Sequence, residues 1–301
     1  MASVNPGRLG VWGHLDSLTI GDARSYAARA EELGFGTLWV PETVGREPFT
    51  LLGLLAGATS SIALGTSIVS IWGHDAQAAR MAALTLADAT EGRFILGLGV
   101  SHPHLAAKLR GHQFDRPLTR MRDYLAAYRA AIYRGPMADA VPEPPILLAA
   151  LRERMTDLAA TDADGAFPYL VTPARVRWMR DRLDAAGGGS RPLLAVTLPV
   201  ALAEADAGVD AARAYLKPYL RTPTYHASWE RQGFGPDDWE QPGSDRLVAS
   251  LVAFGDAGTA HARIAELIDA GADHVAIIPL APDGTTESLA ALEALARDVD
   301  G

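Results

Sequence analysis

The chain contains no cysteine, which excludes disulfides, thiolate metal sites and a cysteine nucleophile. Lysine is nearly as scarce: only Lys108 and Lys217 occur, both on loop or helix patterns. A Schiff-base barrel enzyme needs a strand-borne lysine, so that chemistry is disfavoured. No apolar run approaches the ~20 residues of a bilayer span, and no membrane association is expected. Basic residues form no run and the formal net charge is -9, which argues against nucleic acid as a partner. The opening MASVNPGRLG lacks a cationic region followed by an apolar core. No signal peptide is expected, and a cytoplasmic location is the default.

What is abundant is apolar sequence. At 301 residues and 49% hydrophobic, the chain can bury a large core. Short β-type runs alternate with helical patterns almost throughout. Strands are predicted at Leu9–Trp12, Thr37–Val40, Ile62–Ser70, Phe94–Gly99, Ile146–Ala149, Gly165–Leu170, Leu193–Val200 and His274–Ile278. Helical patterns lie between them, the last at Glu287–Asp298. Eight strands, each followed by a helix, predict an α/β fold, a (β/α)8 TIM barrel spanning residues 1–301 as one domain. An open doubly wound sheet is the alternative. Its dinucleotide version is rejected because Gly97-Leu98-Gly99 lacks a third glycine and a following acidic residue. Between strands seven and eight, Pro218–Pro242 breaks the rhythm as an insert. Its Tyr225, Trp229 and Trp239 suit a lid or an oligomer contact.

In a barrel the chemistry sits at the C-terminal strand ends. There the sequence places His14, Glu42, His74, Ser101 and His102. A histidine near neutrality can exchange a proton with an alcohol, and a carboxylate can orient it or donate a proton itself. Glu42 has the blander option of pairing with Arg46. Trp12 and Trp72 suit an aromatic pocket wall, with His74 beside them, whereas Trp39 reads as core. A metal set is not expected, because the only close histidine pair, His102-Pro103-His104, is held extended by its proline.

Four stretches carry a family resemblance: LGFGTLWVPE (Leu33–Glu42), LGTSIVSIW (Leu64–Trp72), GRFILGLGVSH (Gly92–His102) and PILLAALRERMTDLAATDADGAFPYLVTP (Pro145–Pro173). Together they resemble the luciferase-like monooxygenase superfamily, most closely its branch using the deazaflavin coenzyme F420. The resemblance implies a non-proline cis peptide at Ser67–Ile68 that supports the coenzyme ring. It implies that Gly99, Val100, Ser101 and His102 lie at the ring edge. It further implies that the coenzyme phosphate rests on Ala149, Ala150, Leu151 and Arg152, with Pro168, Tyr169 and Leu170 alongside. The family often has glycine just beyond Ala150, where this chain has Leu151-Arg152. His14 would meet the reacting oxygen of a small organic substrate, and a homodimer is the expected assembly. The alternative cofactor is FMN, in a flavin monooxygenase of the same superfamily. Two readings from other classes stay open: a metal-dependent barrel hydrolase and a non-catalytic cofactor-binding protein.

Overall fold

The structure is a computed structural model that describes residues 4–136 and 141–296. Its strands are β1 (Leu9–Trp12), β2 (Thr37–Val40), β3 (Ala63–Thr66), β4 (Val69–Ser70), β5 (Phe94–Gly99), β6 (Ile146–Leu148), β7 (Gly165–Ala166), β8 (Leu193–Leu202), β9 (Ala253–Gly255) and β10 (His274–Leu280). Its first helices are α1 (Ile20–Glu32), α2 (Pro48–Ala56), α3 (Ala76–Ala89), α4 (Pro117–Ala130), α5 (Glu153–Thr161) and α6 (Pro173–Ala186). They are followed by α7 (Ala205–Leu216), α8 (Pro223–Glu230), α9 (Pro236–Trp239), α10 (Asp245–Leu251), α11 (Ala257–Asp269) and α12 (Leu289–Ala296). The end of the predicted last helix, residues 297–298, lies outside the described residues.

All the strand pairings between these elements are parallel, and the ring closes where β10 pairs with both β1 and β8. The registers Leu9↔Val275 and His274↔Ala195 fix that closure. The fold is a closed eight-stave parallel barrel, as predicted, with β3 and β4 forming one interrupted stave. β9 lies off the ring against the far end of β8, at Val200↔Ala253. The sixth predicted strand shrinks to Gly165–Ala166. Pro168 follows closely and has no N–H to give to a ladder.

The strands read as unbroken apolar runs because both faces are buried. Val11, Leu38, Leu64, Leu96 and Val196 point outward to the helices in one core. Trp39, Ile95, Leu147, Phe167, Ala195 and Ala276 point inward in another. Size is matched across the interior. A Cβ on Gly65 would lie 2.4 Å from the Trp39 ring, and one on Gly10 would lie 2.6 Å from His274. The two large rings fill space that these glycines leave. Trp39 Nε1–H donates to His274 Nε2 at 2.9 Å, while His274 Nδ1 lies 2.8 Å from the Gly7 carbonyl. Both partners are satisfied only if the imidazole is neutral, with its proton on Nδ1.

The predicted irregular insert is helical. A turn of 3-10 helix at Tyr219–Arg221 leads into α8 and α9. Trp229 anchors it, fully buried, with Nε1–H donating to the Leu170 carbonyl at 3.2 Å. Among the described residues no helix is long and apolar enough to cross a membrane.

Burial pushes His274 down to about 4, against the pull of its bond to Gly7. The unfolded chain therefore takes up a proton near pH 6.5 that the native barrel refuses until about 4. Stability contributed by neutral His274 is complete above pH 6.5 and is lost as pH falls toward 4, by up to about 3 kcal/mol. His274→Gln should start less stable at pH 7 and lose correspondingly less over that window, as read by urea unfolding at several pH values.

Candidate active site

A cavity of about 430 Å³ opens at the C-terminal end of the barrel. Its floor is where the third stave breaks, at the Ser67–Ile68 peptide, which is cis. The neighbouring β5 accommodates the break with glycine. A Cβ on Gly97 would sit 2.0 Å from the Thr66 carbonyl oxygen, and one on Gly99 would sit 2.4 Å from Ile68 Cδ1. Thr66 Oγ1 accepts from Gly97 N–H at 2.8 Å and donates to the Gly97 carbonyl at 2.9 Å. The side chain thus bridges the two staves beside the gap in the ladder.

The flanking strands tie onto the same break. Trp12 Nε1–H donates to both the carbonyl and the hydroxyl of Ser67, at 3.1 and 3.2 Å. Glu42 N–H donates to the Ile68 carbonyl at 3.2 Å, and the Glu42 carboxylate accepts from Ser70 N–H at 2.6 Å. That carboxylate also pairs with Arg110, which no sequence pattern had singled out. His74 Nε2 stands 3.6 Å from it. Glu42 is therefore held by Ser70 and Arg110. The expected partner Arg46 instead donates to the Leu18 carbonyl and, through its amide, binds Asp16.

Most of the predicted residues converge on the cavity: Trp12, His14, Glu42, Ser67, Ile68, Val100, Ser101, His102, Ala149, Ala150, Leu151, Arg152 and Tyr169 all line it. Five do not. Gly99 is covered by the Ile68 side chain for which it makes room. Pro168 and Leu170 are buried behind the wall, and the Leu170 carbonyl is taken by Trp229. Trp72 turns away, donating to the Val100 carbonyl at 2.8 Å and packing on His112 and Phe114. His74 stands outside, edge-on to Phe49 at 5.1 Å.

The wall itself is a continuous arc of rings. His14 packs on Trp12 at 4.9 Å and Trp12 on Tyr169 at 5.5 Å. Tyr169 then meets Tyr219 at 5.5 Å, Tyr219 meets Tyr225 at 5.3 Å, and Tyr225 meets His102 at 5.4 Å. Tyr219 and Tyr225 come from the insert, so the insert is a structural wall of the cavity. The Tyr169 hydroxyl bonds those of Tyr215 and Tyr219. Burial, reinforced by neighbouring tyrosines, pushes Tyr169 and Tyr225 well up. Both remain protonated at neutral pH.

The two cavity histidines are also kept neutral. Burial lowers His14 against the pull of Glu287 and Asp16. Burial, and then His104, lowers His102 to about 4. His102 Nδ1 is buried with no hydrogen-bond partner among the described residues, an unmet atom in the cavity wall. After β6, the stave next to β5, α5 begins beyond Arg152 with no side-chain cap on its first amides. An uncapped N-terminus favours an anion, and exposed Arg152 adds charge there. Among the described residues no set of three or more histidine and acidic side chains converges as a metal site.

Breaking the Glu42–Arg110 pair should be costly because Glu42 is almost buried (8% exposed). Arg110→Met should destabilise by about 3 kcal/mol, and adding Glu42→Gln should recover part of that loss. Chemical unfolding of both single variants and the double variant gives the coupling. Additive losses would mean that the pair does not stabilise the fold.

The luciferase-like monooxygenase family profile matches residues 1–274. A Mycobacterium tuberculosis protein provisionally named a coenzyme F420-dependent oxidoreductase is 28% identical over 276 residues, covering 80% of this chain and 78% of its own length. Two solved structures share the fold. An F420-dependent secondary alcohol dehydrogenase with an F420-acetone adduct superposes with TM-score 0.76 at 14% identity, covering 98% of this chain and 99% of that one. The oxygenating constituent of 3,6-diketocamphane monooxygenase from Pseudomonas putida, in complex with FMN, gives 0.71 at 16% identity, covering 97% and 98%. With its closed barrel and strand-end cavity, the chain belongs to the luciferase-like monooxygenase family of enzymes.

Proposed function

We propose that this protein is a coenzyme F420-dependent oxidoreductase acting on a small organic substrate. The observation that carries the reading is a buried, unpartnered His102 Nδ1 together with an uncapped α5 N-terminus in the lining of one cavity. The first suits the polar edge of a flat ring, and the second suits a phosphate. Ile68 and Val100 would pack on the ring, while Ala149 and Ala150 leave room for a phosphate to approach the backbone. When bound, such a coenzyme accepts or donates hydride and supplies the redox chemistry. The relative provisionally named F420-dependent supports this choice over FMN.

The chain's own work is orientation and proton handling. His14 is neutral at pH 7, so a ring nitrogen can take the proton of a substrate hydroxyl as the alcohol is oxidised. In the reverse direction, the imidazolium returns that proton to the oxygen. Glu287 and Asp16 stabilise the charged ring electrostatically, which limits the effect of burial. The aromatic wall excludes water from the reacting atoms and fixes the substrate.

Fluorescence titration of the protein with coenzyme F420 and, separately, with FMN tests the cofactor. Saturable F420 binding with weaker FMN binding is expected, and the opposite ranking overturns the choice. For His14, kcat/KM for alcohol oxidation should fall with a single acidic limb below pH 6.5, because protonation removes the base. His14→Asn should lower kcat about 10²- to 10⁴-fold and abolish the limb. A limb that survives unchanged excludes His14 as the base.

A further inference from the structure

We infer that the substrate is an uncharged, largely hydrocarbon alcohol or carbonyl compound, whose chain runs along the aromatic arc and out between Val44 and Leu109. This deepens the oxidoreductase reading and rests on it for the reaction, while the binding argument stands on the cavity alone.

The first ground is charge. Only Glu42, Arg110 and Arg152 carry formal charge among the cavity-lining residues. Glu42 and Arg110 neutralise each other in direct contact. Arg152 is exposed and stands at the α5 N-terminus. The remaining polar groups are hydroxyls and two histidines held neutral by burial. A substrate phosphate or carboxylate on the arc would lose its water, find no opposite charge and, beside His14, meet Glu287 and Asp16, a cost far above that of a neutral oxygen.

The second ground is the kind of polarity present. The Tyr169 and Tyr219 hydroxyls bond each other at 3.1 Å, and Tyr169 also bonds Tyr215. These phenols serve one another, and His14 packs on Trp12 at the end of the arc, where a reacting oxygen would meet it. Trp12, Phe167, Leu105 and Met155 also line the cavity and offer only apolar surface apart from the Trp12 indole N–H, already spent on Ser67.

The third ground is the rim. Val44 is 79% exposed and Leu109 54% exposed, yet both line the cavity. They come from opposite sides, Val44 from the loop after β2 and Leu109 from the wide helical turn Leu105–Leu109. The Glu42–Arg110 pair ties those two segments together directly beside them. An apolar doorway continuous with an apolar wall is shaped for a chain longer than the cavity.

The test uses 2-alkanols from 2-butanol to 2-decanol, with 3-hydroxydecanoate as the charged counterpart of similar length. Binding to the coenzyme-free chain is followed by tryptophan fluorescence, and turnover is followed with F420 present. Each methylene that reaches the wall or rim should tighten binding about fourfold. The carboxylate should bind at least tenfold more weakly than 2-decanol. Val44→Glu and Leu109→Glu should flatten the chain-length series at its long end. Affinity independent of chain length, a hydroxy acid that binds as tightly as the alcohol, or a series unaltered by both rim variants overturns the inference. Chain-length-dependent alcohol binding by a protein that binds no F420 would overturn the cofactor reading and leave this one standing. F420 turnover confined to charged substrates would do the reverse.

Discussion

The site depends on how closely β5 approaches the broken third stave. With hydrogen at the Gly97 and Gly99 α-carbons, the Thr66 carbonyl and the Ile68 side chain occupy space that any Cβ would claim. That approach lets Ile68 turn toward the cavity and lets Thr66 bridge to both backbone groups of Gly97. The ends of β1 and β2 are then drawn onto the same break, through the Trp12 indole on Ser67 and the Glu42 backbone and carboxylate on Ile68 and Ser70. Segments from four staves are locked together at one point, so the cavity floor is shaped by backbone hydrogen bonds more than by side-chain rotamers.

Beneath that floor the barrel is filled. Trp39 and His274 occupy the interior opposite Gly65 and Gly10, and their polar atoms are satisfied by each other and by the Gly7 carbonyl. An unmet indole N–H or imidazole nitrogen at that depth would cost several times what its hydrogen bond contributes. This closed arrangement separates two duties. The Trp39 and His274 groups below serve the fold and pair with each other and with Gly7, whereas His102 Nδ1 above has no hydrogen-bond partner among the described residues.

The alternation of strands and helices was legible because the period of apolar residues changes sharply between elements. The strand ends followed, and with them His14 and Trp12 by position, whereas the Ser67–Ile68 break was implied by the resemblance alone. What failed was direction. Trp72 and His74 lie just beyond a strand end, but nothing in their spacing says that one packs on Phe114 and the other on Phe49. The resemblance implies Gly99 at the coenzyme ring edge, whereas the space of its missing side chain is filled by the chain's own Ile68. Tyr219 escapes notice in the sequence, and Tyr225 reads there as part of a lid or an oligomer contact, for a different reason. Their partners Tyr169 and His102 are separated from them by 50 residues or more, and no local pattern encodes such a contact.

Glu42 shows how far geometry can change the role suggested by residue type. A carboxylate at a strand end beside a histidine invites a proton-transfer assignment. Here its oxygens are occupied by the Ser70 amide and the Arg110 guanidinium, so accepting a proton would break charge-assisted bonds that no other group replaces. Its contribution is instead to cancel Arg110 and to pin the Leu105–Leu109 turn against the end of β2. In the proposed reading that leaves His14 to exchange protons. The cancelled charge of Arg110 and that assignment share one origin, the saturation of Glu42.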